Sequence, residues 1–528
     1  MTSVRKRISA FLRTAFVALA MPAAASAQQS AVTSTVEVQN DTYVKAKDST
    51  VLLTVRPDVE IGPVKRMNAV NNGPNFSLDP NRRREQRLGR FAAYRDARFP
   101  MARIHDARSM GSPPGHIGDI NLIFPDWDAD ENDPNSYDFT LTDWMLHSTR
   151  IAGTEIMFRF GNSADQGPKQ YGSDDVPKDP AKWARVAEHI IRHYNEGWGW
   201  TTKPIPFANQ FGIKYWEIWN EPDLGCTEDY WKTRKPYWPK KRRYWNGTPE
   251  QFFDFYVVAA KHLKGTFPDL KIGGPAVAGS YGWTDRFLAH CAANSVPFDF
   301  FSWHVYSDSV EKFLDKSEVM KKLLVKHGYG NVELVLNEWN WNLGWYEEAF
   351  RASAAMRTDA NNFKMAAFYA SVMCAMQDSS ADLLMYYDTR LPTHYNGVFD
   401  QVTQRPLKGY YAFYAWAKLR DLGVQVRVDA DANGAGVRAT AARGADGRVA
   451  LCLARYTADP SVLKCQTVRV AVAGSSLAGA TCHLTDSLNR YTEVPLAVLP
   501  DGAAEIDLEP NSFAFIEVVN DNKKGQQP

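Results

Sequence analysis

The 528-residue sequence has almost no net charge: 61 Lys and Arg stand against 60 Asp and Glu, a balance of +1. No global field draws such a chain to nucleic acid or to an anionic membrane surface, and neither is expected as a partner. Cysteine is scarce, and the six residues (Cys226, Cys291, Cys374, Cys452, Cys465 and Cys482) show no Cys-x-x-Cys spacing, which argues against the usual zinc sites. Cys452, Cys465 and Cys482 lie close together in a β-rich stretch, where one disulfide is expected; the other cysteines read as small buried hydrophobes. Internal repeats are missing, apart from an alternation of strands and helices. Long apolar runs are missing after the N-terminus, so no membrane insertion is expected.

What is present begins with an export signal. Arg5, Lys6 and Arg7 precede an apolar run from about Ile8 to Ala20, and Ala25-Ser26-Ala27 has the small residues of a cleavage site. The expected mature chain starts near Gln28 and is periplasmic or secreted. Residues 28–58 alternate apolar and polar, as strands do. From 59 to 420, short apolar runs alternate with helical stretches. The strand candidates are 64–70, 100–105, 155–160, 214–220, 270–275, 299–306, 332–338 and 382–388, with helices such as 180–196 and 249–267 between them. Eight such strands predict an α/β fold, a (β/α)₈ TIM barrel; an open doubly wound sheet competes, but no glycine-rich phosphate loop follows the first strand. Residues 421–520 read as successive strands with glycine turns, an accessory antiparallel β-sandwich that the strands of 28–58 are expected to join. The tail 521–528 is expected to be disordered.

In such a barrel the active site lies at the C-terminal ends of the strands. Those ends are polar here. The second carries Arg103, His105 and Asp106, and the fourth, in "WEIWNEPD", carries Asn220 and Glu221. The sixth carries His304 and Tyr306, the seventh Asn337 and Glu338, and the eighth Tyr387 and Asp388. Strands four and seven face each other across a barrel, so Glu221 and Glu338 are candidates for the paired carboxylates of glycoside cleavage. Glu217 and Glu333 lie earlier in the same strands, toward the opposite mouth, and read as structural.

"WEIWNEPD", "LVLNEWN", "RIHD", "SWHVY" and "MYYDTR", with the separation 338 − 221 = 117, resemble the clan A glycoside hydrolases, most closely glycoside hydrolase family 39, over residues 60–420. The resemblance implies a retaining exo-glycosidase that uses no metal or organic cofactor. Glu221 would be the acid/base and Glu338 the nucleophile. Asn220 would bond the sugar 2-OH, Tyr306 would orient Glu338, and His105 and His304 would meet sugar hydroxyls. Tyr387 and Asp388 are weaker substrate-binding candidates. The implied substrate is an oligosaccharide or polysaccharide. A β-xylosidase-like action on pentosides leads, with α-L-arabinofuranosidase or uronate-directed, α-L-iduronidase-like activity as the alternative. A non-catalytic carbohydrate-binding protein and a transglycosylase stay open, as does a homo-oligomer.

Two further stretches have double readings. Residues 228–247 interleave seven basic residues with Trp231, Tyr237, Trp238, Tyr244 and Trp245, either to attract an acidic glycan or as a solvated loop whose rings pack on the barrel. Arg390, near the eighth strand end, adds to the uronate option. Trp339, Trp341 and Trp345 form either a sugar platform or packing.

Overall fold

The computed structural model describes residues 50–74, 90–107, 117–161, 163, 176–199, 211–224, 244–245, 247–391, 393, 395–430 and 436–518. Strand β1 (Val51–Pro63) precedes the barrel strands β2 (Arg66–Asn71), β3 (Met101–Ile104), β4 (Glu155–Phe160), β5 (Tyr215–Ile218), β6 (Lys271–Val277), β7 (Phe300–Tyr306), β8 (Glu333–Asn340) and β9 (Leu383–Tyr386). Parallel pairing in sequence order, closed by β2 against β9, makes a complete eight-stranded barrel. All eight expected strands are present.

The period of two in each strand sorts side chains between the helices outside and the barrel lumen. Ile156, Phe158 and Phe160 of β4 join the large cluster under the helices. Met157 faces inward with Ala69, Met101, Phe300, Val335, Leu383 and Met385, an apolar plug across the lumen. Two residues further along the same strands the inward positions turn polar: Asn71, Arg103, Arg159, Glu217 and Ser302, all buried. Glu333 sits below the plug with Arg66, Tyr215 and Lys271, far from the C-terminal mouth, as its position in β8 predicts.

The helices start and stop where their sequence says. Pro180–Glu196 opens on Asp179, which accepts from the Ala181 and Lys182 N–H groups, and ends on Gly197 at φ 81°. Pro249–Thr266 opens on a capping box between Thr248 and Gln251.

Strands β10 (Val424–Ala430), β11 (Val437–Arg443), β12 (Val449–Arg455), β13 (Gln466–Val472), β14 (Thr481–Thr485), β15 (Thr492–Val494), β16 (Ala497–Val498), β17 (Ala504–Leu508) and β18 (Ser512–Val518) form one ten-stranded sheet with β1. β1 runs unbroken past residue 58, pairing antiparallel with β10 and parallel with β13. The sheet curls over its own core of Leu53, Val55, Leu451, Leu453, Val470 and Ile516, giving the sandwich expected from the pattern as a single hydrogen-bonded unit.

β12 is buried on both faces. Val449, Leu451 and Leu453 point into the sheet's own core, whereas Ala450, Cys452 and Ala454 belong to the barrel's cluster. Those small residues let the helix Phe363–Gln377 approach closely. That helix is apolar all round because it packs on the barrel inside and on the sheet outside. Tyr456, just past β12, accepts from Trp341 Nε1 at 3.1 Å and donates to the Asp308 carbonyl at 2.8 Å, so the sheet also braces the loops after β7 and β8.

The expected C-terminal disulfide is not formed. Among the described residues no disulfide links Cys291, Cys374, Cys452, Cys465 and Cys482. Cys452 and Cys482 flank β18 on opposite sides, in register with Phe515 and Ile516. They are thus two strand spacings apart, roughly 9–10 Å, and face opposite ways, which no disulfide spans. Cys226 lies outside the described residues. Thiol titration of the denatured, unreduced protein should therefore find at least five reactive groups per chain. Fewer would mean that the cysteines pair in solution.

Candidate active site

The turn after β5 is held in a shape that ordinary residues resist. Trp219 and Glu221 have φ 75° and 47°, in the left-handed region. Hydrogen bonds over-determine the turn. Trp219 N–H donates to Phe160 O and Glu221 N–H to Ala276 O, each at 2.9 Å, which ties the turn to both neighbouring strands. Asp223 accepts from the N–H groups of Ala278, Gly279 and Ser280 at 2.8–3.0 Å. β6 comes so close that a Cβ on Gly274 would lie 2.6 Å from Ile218 O, so glycine is required there. Strain of this kind persists only where the surroundings enforce it. Its effect is to hold the Glu221 carboxyl at the mouth.

Glu338 reaches the same space from β8, next to a bulge where its register with β7 shifts by one residue. Arg103 Nη1 donates to Glu338 Oε1 at 2.8 Å, and the Tyr306 hydroxyl donates to Oε2 at 2.7 Å. His105 Nε2 lies 3.3 Å from Oε1. Burial pushes the Glu338 carboxyl above its ordinary value of 4.5, and the Glu221 charge adds to this; His304, Arg103 and the Tyr306 hydroxyl pull it back.

Arg103 is itself fully enclosed. Besides Glu338 it donates to Glu217 Oε2 at 2.5 Å, Asn220 Oδ1 at 2.6 Å and Asn71 Oδ1 at 3.3 Å. Glu217 accepts in turn from Ser302 and Asn337, both at 2.5 Å. Glu217 is therefore structural, as its depth in the strand predicts. Arg103 stands in the sequence at the expected strand end but had no assigned role. The period of two placing it inward, below the mouth, was the available signal.

His304 joins the two candidate carboxylates. Its Nδ1 lies 2.8 Å from Glu221 Oε1 and 3.4 Å from Glu338 Oε2. One oxygen of each glutamate and a ring nitrogen of His304 all fall within 4.8 Å of one another. Burial lowers His304 to about 4 and takes His105 well below its ordinary range, so both rings are neutral near pH 7. The same three side chains are the one grouping among the described residues with the spacing of a cation site. Arg103 already supplies positive charge to Glu338, and we assign no metal role. Among the described residues, His105 Nδ1, Asn220 Nδ2 and His304 Nε2 are buried polar atoms without a hydrogen-bond partner.

Tyr387 and Asp388 occupy the β9 side in a closed cluster. The Tyr387 hydroxyl donates to Asp106 Oδ2 at 2.7 Å, and Asp388 accepts from Asn72 and Thr393. Arg390 lies between the two acids, its Nε 2.7 Å from Asp388 Oδ2 and its Nη1 3.7 Å from Asp106 Oδ2. Its charge is thus already balanced by two carboxylates, which removes the support it lent to uronate binding. Trp339 is buried among Phe313, Phe368, Tyr386 and Phe413, and Trp341 is also buried; both are packing. Trp345 is 51% exposed and stands edge-on to Tyr306, which also stacks with Tyr395. The basic residues of 228–247 lie outside the described residues. Tyr244, at the end of that stretch, is buried with its ring 6.5 Å from His105.

A closed parallel barrel with two glutamates meeting at its C-terminal mouth is the architecture of the barrel glycoside hydrolases. The chain belongs to glycoside hydrolase family 39: the family model described as "Glycosyl hydrolases family 39" matches residues 128–389. It is similar to a β-xylosidase of Geobacillus stearothermophilus, 25% identical over 252 residues, which is 43% of this chain and 45% of that protein. A β-xylosidase of Caldicellulosiruptor saccharolyticus is 30% identical over 135 residues, 26% of this chain and 22% of that one. The chain thus spans less than half the length of these relatives. Among solved structures, a glucosidase from Croceicoccus marinus superposes with TM-score 0.65 at 21% identity, over 90% of this chain and 100% of that one, a likeness of fold.

Two outcomes follow from the site. Arg103→Met would leave Glu217 and Glu338 buried without their cation, and should lower the unfolding free energy in urea by about 3–5 kcal/mol. A loss below about 1 kcal/mol would show that the network is not what holds the strands together. Because burial raises Glu338, a reaction that needs its anion should have an acid limb in kcat/KM above pH 4.5. Tyr306→Phe removes a hydroxyl that favours the anion and should shift that limb further upward; a downward shift would contradict the hydrogen bond's role.

Proposed function

We propose that the protein is a retaining glycosidase, exo-acting and β-xylosidase-like, that cleaves neutral pentosides by double displacement. The observation that carries this reading is the meeting of the two glutamates, with an oxygen of each inside 4.8 Å. Retaining enzymes hold their carboxyl groups about 5–5.5 Å apart, whereas inverting enzymes keep about 6.5–9.5 Å for a water between them. So close an approach supports the retaining arrangement, in which the second carboxylate attacks carbon itself.

The surroundings of the two groups favour distinct roles. Glu338, with Arg103 and Tyr306 on its two oxygens, is built to act as an anion. It attacks the anomeric carbon as the bond to the departing oxygen breaks, giving a glycosyl ester. Glu221 protonates that oxygen, then takes a proton from the water that opens the ester. Asn220, with Oδ1 fixed by Arg103 and Nδ2 unpartnered, is placed to donate to a hydroxyl beside the reacting carbon. The β-xylosidase relatives support a pentose substrate. A neutral sugar is favoured over a uronate because Arg103 and Arg390 are each already paired with two carboxylates. The basic stretch 228–247 is the sequence feature that points the other way, toward a uronate, and export is a proposal resting on the signal-like N-terminus.

The test is a panel of aryl glycosides: β-xyloside, α-L-arabinofuranoside, β-galactoside and α-L-iduronide. The β-xyloside should turn over fastest, and Glu338→Ala should lower kcat by about 10⁴-fold or more. A 2-deoxy-2-fluoro-xyloside should leave a stable adduct on Glu338, read by mass spectrometry of peptides. Binding without product would make the protein a carbohydrate-binding barrel. Products that lengthen as acceptor is added would make it a transglycosylase.

A further inference from the structure

Arg159 lies on the inward face of β4 and is buried, with 1% of its surface exposed. Its Nη2 donates to Asp119 Oδ1 at 2.8 Å and to Ser163 Oγ at 3.1 Å. Asp119 is held in turn by the Ser163 N–H at 2.9 Å and the Ser163 hydroxyl at 2.8 Å. Both partners come after the C-terminal ends of β3 and β4, so the guanidinium has been drawn up to the level of the mouth. It is close enough to His105 for its charge to oppose protonation of that ring. Nε and Nη1 have no hydrogen-bond partner among the described residues, although both are buried.

That arrangement asks for a ligand. An arginine cannot shed its proton to escape burial, and its remaining N–H groups are donors only. Other enclosed cations around the mouth meet protein acceptors: Arg103 on Glu217, Glu338, Asn220 and Asn71, Arg390 on the Asp388 and Asp106 carboxylates, and Lys316 on the carbonyls of Ala278 and His304. Arg159 keeps two donors back. Its charge is met by Asp119, so what it offers is hydrogen bonds rather than a free positive charge. Neutral hydroxyls fit that offer better than a carboxylate.

We propose that Arg159 is a specificity-determining residue: Nε and Nη1 donate to the 3- or 4-hydroxyl of the sugar unit whose anomeric carbon faces Glu338. This rests on the glycosidase reading above. Asn220 and the glutamates on β5 and β8 address the anomeric carbon and its neighbour. Arg159 approaches from the β3–β4 wall and reads hydroxyls further round the ring. A site built to bond a hydroxyl rejects a sugar without it, because its own donors are then left unmet.

A cycle between protein and substrate tests this. kcat/KM is measured for the wild type, Arg159→Gln and Arg159→Lys on the aryl β-xyloside and its 3-deoxy and 4-deoxy analogues, with thermal melts of each variant. The wild type should lose about 10- to 100-fold on one of the deoxy substrates. In Arg159→Gln the parent substrate should fall by a similar factor, and the same deoxy analogue should cost less than about 3-fold more. Arg159→Lys, which keeps the charge but loses the fork, should fall between the two and serves if Arg159→Gln does not fold. The proposal is overturned if the deoxy penalties are the same in the variants as in the wild type, or if the wild type shows no penalty on either analogue. If the wild type turns over no aryl glycoside, the glycosidase reading fails, and this inference with it.

Discussion

The buried guanidinium of Arg103 is the contact on which the site depends. It ties four barrel strands through one planar group, taking Asn71 from β2, Glu217 from β5, Asn220 from just beyond β5, and Glu338 from β8. A buried carboxylate without a cation would be driven to the neutral form, and two of them would be worse. Arg103 makes it possible to keep Glu217 and Glu338 enclosed together. Glu217 passes the constraint on to Ser302 of β7 and Asn337 of β8. The position of the candidate nucleophile is therefore set by a network that crosses the lumen, not by its own strand alone.

The sequence made the barrel legible because two periods were clean. Strands buried on both faces appear as short apolar runs, and the helices between them carry their caps in plain view, as Asp179 and Thr248 do. The strand-end polar residues were legible for the same reason, since a parallel barrel puts all of its C-terminal ends on one face. What could not be read was contact. Arg390 looked like a free cation until Asp106 and Asp388 were seen on either side of it. Trp339 and Trp345 were equivalent in the sequence, yet one is core and the other rim, because the chain leaves the barrel between them. The cysteines misled through proximity in sequence, which says nothing about which strand lies between two others. Arg159 drew no notice at all, because its partners Asp119 and Ser163 belong to loops whose paths no pattern reveals.

The accessory sheet is not an appendage. Its strand β12 offers one face to each of two cores, and Tyr456 bonds to the loops that follow β7 and β8. Tyr306 and Glu338 sit on those strands, so the sheet contributes rigidity to the mouth without contributing a side chain to the chemistry. Preorganised groups act best when the elements carrying them cannot relax, and here part of that support comes from outside the barrel.

The place of β1 in the ten-stranded sheet has a consequence for the order of events during synthesis. β1 ends at Pro63, but its partners are β10, starting at Val424, and β13, starting at Gln466. At roughly 5–20 residues per second, the ribosome needs about 20–70 s to make the intervening chain. Throughout that interval Val51, Leu53 and Val55 have neither ladder nor core to enter. Among the described strands the first made is one of the last to be satisfied, because its partners follow the whole barrel. Nascent protein is thus kept open to whatever handles unfinished chains, and a polypeptide carried across a membrane before folding would lose nothing by the delay.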